Sequence, residues 1–152
     1  MRLMKTTVKQ LNDVFQTGRE MARLVVSYWA DLGPWLGVDF RTYYSYVCAL
    51  PYVEDPEEVE TVSRPAYTLQ RDYRPRDCDD KAVLIACWLY AHGIQCRFVA
   101  SSTRPDRVLH HVFVQAAKFG YIDATFDRYA GTLGNYDYFP AVTNLEPLTG
   151  WI

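Results

Sequence analysis

The sequence has no run of about 18 apolar residues of the kind that crosses a bilayer. Its first residues, Met1-Arg2-Leu3-Met4-Lys5-Thr6-Thr7, lead into a polar amphipathic segment rather than an apolar signal core, so neither a membrane span nor a secretion signal is expected. Charge of one sign is also missing. Sixteen Lys and Arg against 18 Asp and Glu leave a net −2, which gives no electrostatic footprint for nucleic acid, and no basic amphipathic face suggests a membrane surface. Neither nucleic acid nor membrane is an expected partner. Cysteine is sparse: Cys48, Cys78, Cys87 and Cys96 are irregularly spaced with no C-x-x-C knuckle, and they read as reduced thiols. A zinc site from Cys87, His92 and Cys96 is disfavoured, because Cys87 falls in an apolar run where a free cysteine behaves as a small hydrophobe. No metal and no cofactor are expected.

What is present is a core for one domain and an excess of aromatics, with 12 tyrosines and 4 tryptophans in 152 residues. Apolar residues Val8, Leu11, Phe15, Ala22, Val25, Trp29 and Leu32 recur three and four apart and predict a long amphipathic helix, capped by Thr6 or Thr7 and ended by Gly33-Pro34. Its length suits a docking helix, while packing along its own domain or onto a neighbour fits it equally well. A second helix is expected from Asp39 to Leu50, with a face of Phe40, Tyr43, Tyr44, Val47 and Cys48. An acid-rich stretch from Tyr52 to Val62 and a polar one carrying Arg64, Arg71, Arg74 and Arg76 read as a solvated loop, or as an ordered wall ahead of Cys78. Three strands then follow, over Gln95 to Ser101, Val108 to Ala117 and Tyr121 to Phe126. Helices first and an antiparallel meander after make an α+β domain. Residues 1–35 are expected as the N-terminal amphipathic helix, 36–127 as the core and 128–152 as an extended tail that covers its own domain or docks on another subunit.

The chemistry concentrates at Asp77-Cys78-Asp79-Asp80-Lys81, which opens a helix that is apolar nearly all round and therefore buried. A cysteine at a helix start lies near unpaired backbone N–H groups and the positive end of the dipole, which favour a thiolate. Cys78 is thus a candidate nucleophile; the competing reading has Asp77 as a cap and Cys78 as a small first helical residue. Asp80 fits the return partner of a capping box. Asp77, Asp79 and Asp80 oppose a thiolate, while the helix start, a histidine and Arg74 or Arg76 favour it, and the sequence leaves the sign open.

A thiol nucleophile works best with a histidine base that a third group orients. His92 lies at the far end of the same helix, roughly 20 Å away at 1.5 Å per residue, and cannot serve. His110 and His111 are adjacent on a strand and point to opposite faces, so only one meets the thiol. His110 shares parity with Val112 and Val114 and reads as a packed or edge histidine. Asp123 faces His111 if the intervening hairpin is centred on Ala117 with a loop of three or five residues; Gly120 favours a slightly later centre, which shifts the register unless a bulge corrects it.

Asp77-Cys78-Asp79-Asp80-Lys81-Ala82, Ala91-His92-Gly93-Ile94 before Arg97-Phe98-Val99, His111-Val112-Phe113-Val114 and Asp123-Ala124-Thr125 resemble the successive motifs of the transglutaminase-like cysteine superfamily. Tyr52-Val53-Glu54-Asp55-Pro56, Glu60-Thr61-Val62, Pro65 and Thr68-Leu69 extend the similarity to the small transglutaminase-like proteins of phages and prophages. Arg76 stands where that group commonly has glycine, and Phe113 where tryptophan is frequent. The resemblance implies a papain-like, transglutaminase-like core with Cys78 as nucleophile, His111 as base and Asp123 as its orienting partner, supported by Asp77, Asp80 and Phe113. It implies a protein or peptide substrate, synthesis in a host cytoplasm and, in the alternative, a structural or adaptor part in a virion, contacting other phage proteins through the first helix and the tail. An oxyanion donor beyond the Cys78 backbone N–H is not identified.

Overall fold

A computed structural model describes residues 7–8, 13–54, 61–70, 76–126, 128–129 and 142–152. Thr6, the acids over 55–60, Arg71, Arg74, Asp127 and the tail over 130–141 lie outside the described residues. The chain forms a mixed α+β structure, with helices packed on an antiparallel sheet.

The first helix, α1 (Val14–Tyr28), starts later than its periodicity suggests. Thr7–Val8 is instead a short strand, β1, paired with β2 (Thr61–Val62), and Asp13 caps α1 by accepting the Gln16 N–H at 2.8 Å. The buried face also differs. Thr17, Gly18, Met21, Leu24 and Val25 face the core, whereas Phe15 is exposed. Gly18 explains the shift: a Cβ there would lie 2.7 Å from the Leu148 Cβ, so this turn carries the closest approach to the C-terminal segment. Of the expected apolar face, Val25 and Leu32 are buried in the core, Ala22 and Trp29 are half-buried and Phe15 is exposed. A 3₁₀ segment (Trp29–Gly37) continues from α1 and breaks at Gly33, whose φ of +54° suits glycine.

Helix α2 (Phe40–Ala49) matches expectation, with Asp39 accepting the Thr42 N–H and Tyr43, Tyr44 and Val47 buried. The polar stretch is not a plain loop. Pro65 opens a four-residue helix, α3 (Pro65–Thr68), and Asp31 of the 3₁₀ segment holds its start by pairing with Arg64 at 2.8 Å and accepting the Ala66 N–H. Central helix α4 (Cys78–Ala91) is buried from Asp79 to Leu89, and Tyr43 ties α2 to it by donating to the Leu84 carbonyl at 2.9 Å.

Strands β3 (Cys96–Ser102), β4 (His111–Ala116), β5 (Gly120–Asp123), β6 (Arg128–Tyr129) and β7 (Asn144–Pro147) form one antiparallel sheet in the order β6-β5-β4-β3-β7. Phe98, Ala100, Val112, Val114 and Ile122 meet the helices in a single core. His111 and Phe113 occupy the opposite face of β4 and are buried as well. The described tail wraps its own domain: β7 pairs with β3, and Ile152 exchanges backbone hydrogen bonds with Cys96 at 2.8 and 3.1 Å. Gly18→Val forces α1 off Leu148 and is expected to lower stability by about 1–3 kcal/mol in urea unfolding. An unchanged midpoint would show that this contact has room to spare.

Candidate active site

A buried helix must satisfy its first-turn N–H groups within the protein, and α4 does so with a reciprocal pair of aspartates. Asp77 Oδ1 accepts the N–H groups of Asp79 and Asp80 at 3.1 and 3.4 Å, and Asp80 Oδ2 accepts the Asp77 N–H at 3.0 Å. Asp80, fully buried, also takes the Ser63 N–H at 3.3 Å, joining the α3 wall to the helix start. Both expected capping roles are present.

Cys78 is the first residue of α4 and is partly exposed. Its thiol lies 3.7 Å from Asp79 Oδ1, to which it donates, and the backbone N–H of Val112, the residue after His111, is near enough to act on its titration. Burial pushes this thiol well above its ordinary range; the charges of Asp79, Asp77 and Asp123 push it further, and only the Val112 N–H pulls it back. Where the sequence left the sign open, burial and the neighbouring carboxylates together favour the protonated thiol.

His111 Nε2 and Asp123 Oδ2 are 2.7 Å apart, and both residues are buried. A carboxylate only accepts, so Nε2 carries the proton and Nδ1 carries the ring's lone pair. The hairpin that joins them is centred on Lys118 rather than Ala117: Ala116 pairs with Gly120 and Val114 with Ile122. The later centre comes from Gly120, whose φ of +79° supplies the left-handed step at the end of a three-residue loop. A shift of the centre by one residue changes the offset by two and keeps the face, so Asp123 meets His111 diagonally instead of directly opposite.

Asp123 is held on its other side. Oδ1 accepts the N–H groups of Thr125 and Phe126 at 3.0 and 3.4 Å, an Asx turn that folds the chain back. That turn brings the Phe126 ring to 4.8 Å from the His111 ring, while Phe113 stacks on it at 5.5 Å and 23°. His111 is thereby packed by two aromatics and bonded by one carboxylate.

His110 is exposed and accepts the Thr103 N–H at 3.0 Å, so it closes the β3–β4 loop. Arg76 is buried, and its guanidinium donates to the Thr68 and Gln70 carbonyls. Lys81, one turn beyond Cys78, donates to the Cys48 carbonyl at 3.1 Å; burial lowers its pKa. Among the described residues no group of three His, Cys, Asp or Glu is arranged to hold a metal ion. The His92 nitrogens lie 2.7 and 3.0 Å from the Trp88 and Leu36 carbonyl oxygens, not near a thiol.

No family model, curated protein or solved structure matches this chain.

Sequence reasoning missed two residues at the site. Phe126 was signalled by the Asp123-Ala124-Thr125-Phe126 turn; Tyr52 opens the stretch read as a wall ahead of Cys78, but its own place beside the thiol depends on a bridge across more than twenty residues. Because the folded thiol titrates above its unfolded value, its contribution to stability is present below the ordinary thiol range and is lost as the pH rises through the folded value. Alkylation of Cys78 by iodoacetamide should accordingly be slow at neutral pH and climb only under alkaline conditions. Asp79→Asn removes the carboxylate charge that acts most strongly on the thiol while leaving an amide oxygen in its place, and should raise the neutral-pH rate; a slower variant would contradict this electrostatic account.

Proposed function

We propose that the protein is a cysteine acyl transferase or amide or peptide hydrolase of the transglutaminase-like kind, on a papain-like core and of phage or prophage origin. The observation that supports it most is the buried 2.7 Å His111–Asp123 pair across β4 and β5, with Val112, the residue after His111, acting on the Cys78 thiol at the start of α4.

In the proposed reaction Cys78 leaves Asp79 and passes its proton to His111 Nδ1 as Sγ bonds to a carboxamide or peptide carbonyl carbon. Asp123 holds the imidazolium through Nε2. The tetrahedral intermediate collapses, the C–N bond breaks, and the departing amine takes the proton from His111. Water or a second amine then attacks the thioester carbon and gives its proton to His111, the C–S bond breaks, and the departing sulfur takes that proton from His111 to restore the thiol. A resting neutral thiol is compatible with this cycle, because the proton moves only when a carbonyl is in place. The substrate class is a peptide or a cell-wall peptide.

One observation favours a second reading, a structural or adaptor part of a phage particle with little turnover: the Asp79 contact and the acidic surroundings hold the thiol protonated. The two readings separate on Cys78→Ala. A thiol-directed probe should label the wild-type protein and not Cys78→Ala, and Asp123→Asn should lower amide turnover by roughly 10²–10⁴-fold with the fold retained. Equal labelling of Cys78→Ala, or turnover unaffected by Asp123→Asn, would remove the enzymatic reading, and stoichiometric assembly with head or tail proteins that survives Cys78→Ala would favour the structural one.

A further inference from the structure

An acyl-transfer site needs donors aimed where negative charge develops on the carbonyl oxygen. In the first turn of α4 the Asp79 and Asp80 N–H groups are taken by Asp77 Oδ1 and the Lys81 N–H by the Asp77 carbonyl. The Cys78 N–H is not among the described hydrogen bonds, and it supplies one donor. A second comes from across the chain. Val53 and Arg76 form an antiparallel bridge, the Val53 N–H donating to the Arg76 carbonyl at 2.6 Å and the Arg76 N–H to the Val53 carbonyl at 2.7 Å. Carried one residue on, this register sets Tyr52 opposite Asp77 and beside Cys78. The bridge is anchored, because the Arg76 side chain is buried in bonds to Thr68 and Gln70. Tyr52 nevertheless remains 46 % exposed, open to an incoming ligand, and no hydrogen bond of its hydroxyl to another described residue is present.

Resting on Cys78 as the nucleophile, we propose that the Tyr52 hydroxyl is the second oxyanion donor and acts with the Cys78 N–H. As Sγ bonds to the carbonyl carbon, the C=O electron pair moves onto oxygen between these two donors, the thiol proton goes to His111, and Tyr52 keeps its own proton throughout. Burial first, then the charges of Cys78 and Asp77, push the phenol well above its ordinary range, so it stays a donor across the working pH.

The test compares two reagents at one thiol. p-Nitrophenyl acetate acylates through a tetrahedral oxyanion, whereas iodoacetamide alkylates by displacement at carbon with no such oxyanion. Tyr52→Phe keeps the ring, and its fold is checked by thermal unfolding against wild type. Acylation of Cys78, read as the burst of p-nitrophenolate, should fall by about 10²-fold in this variant while alkylation changes by less than about 2-fold. Equal loss with both reagents, or no loss with either, would overturn the assignment. A burst that persists in Cys78→Ala would instead overturn the nucleophile reading on which it rests.

Discussion

The burial of α4 is the constraint on which the rest depends. From Asp79 to Leu89 this helix is enclosed, so its leading N–H groups have no water to bond, and the Asp77–Asp80 exchange takes that place. The same exchange fixes where the chain enters. Asp80 carries it outward to Ser63, and the Val53–Arg76 bridge carries it to Tyr52, so the wall before the helix and the helix start form one hydrogen-bonded unit. Cys78 inherits its position from that unit.

Capping with carboxylates has an electrostatic consequence. Asp77, Asp79, Asp80 and Asp123 are buried around a thiol, with Arg76 and Lys81 as the buried cations of that region, and both cations are directed at backbone carbonyls. A negative sulfur is disfavoured there until something else changes. In the proposed reaction the His111–Asp123 pair offers that change, since the proton would move to a ring whose far nitrogen already faces a carboxylate. On the proposed function, this architecture favours a nucleophile that is quiet at rest over one kept permanently ionised.

Much of this was legible in the chain. The apolar run after Asp77, the Asp77-to-Asp80 spacing and the Gly93 stop define α4 from local rules, and the parity of His111 and Asp123 places both on one sheet face even when the turn centre moves from Ala117 to Lys118. Relations between distant residues were not legible. β7 has no clear alternation and is a strand because Val99, 48 positions earlier than Pro147, pairs with it. α3 is too short for periodicity to register, and its start depends on Asp31. The buried stripe of α1 followed Leu148 through Gly18 rather than the strongest apolar repeat. Local signals set the elements; tertiary partners decided which face each one buried.

The claim that His111 activates Cys78 is tested most directly by mapping, by mass spectrometry, where p-nitrophenyl acetate leaves its acetyl group. The account predicts a thioester on Cys78 in the wild-type protein, with Cys48, Cys87 and Cys96 unmodified, and loss of that adduct in His111→Ala at neutral pH. An adduct spread over the other thiols, or one that forms on Cys78 equally fast without His111, would contradict it.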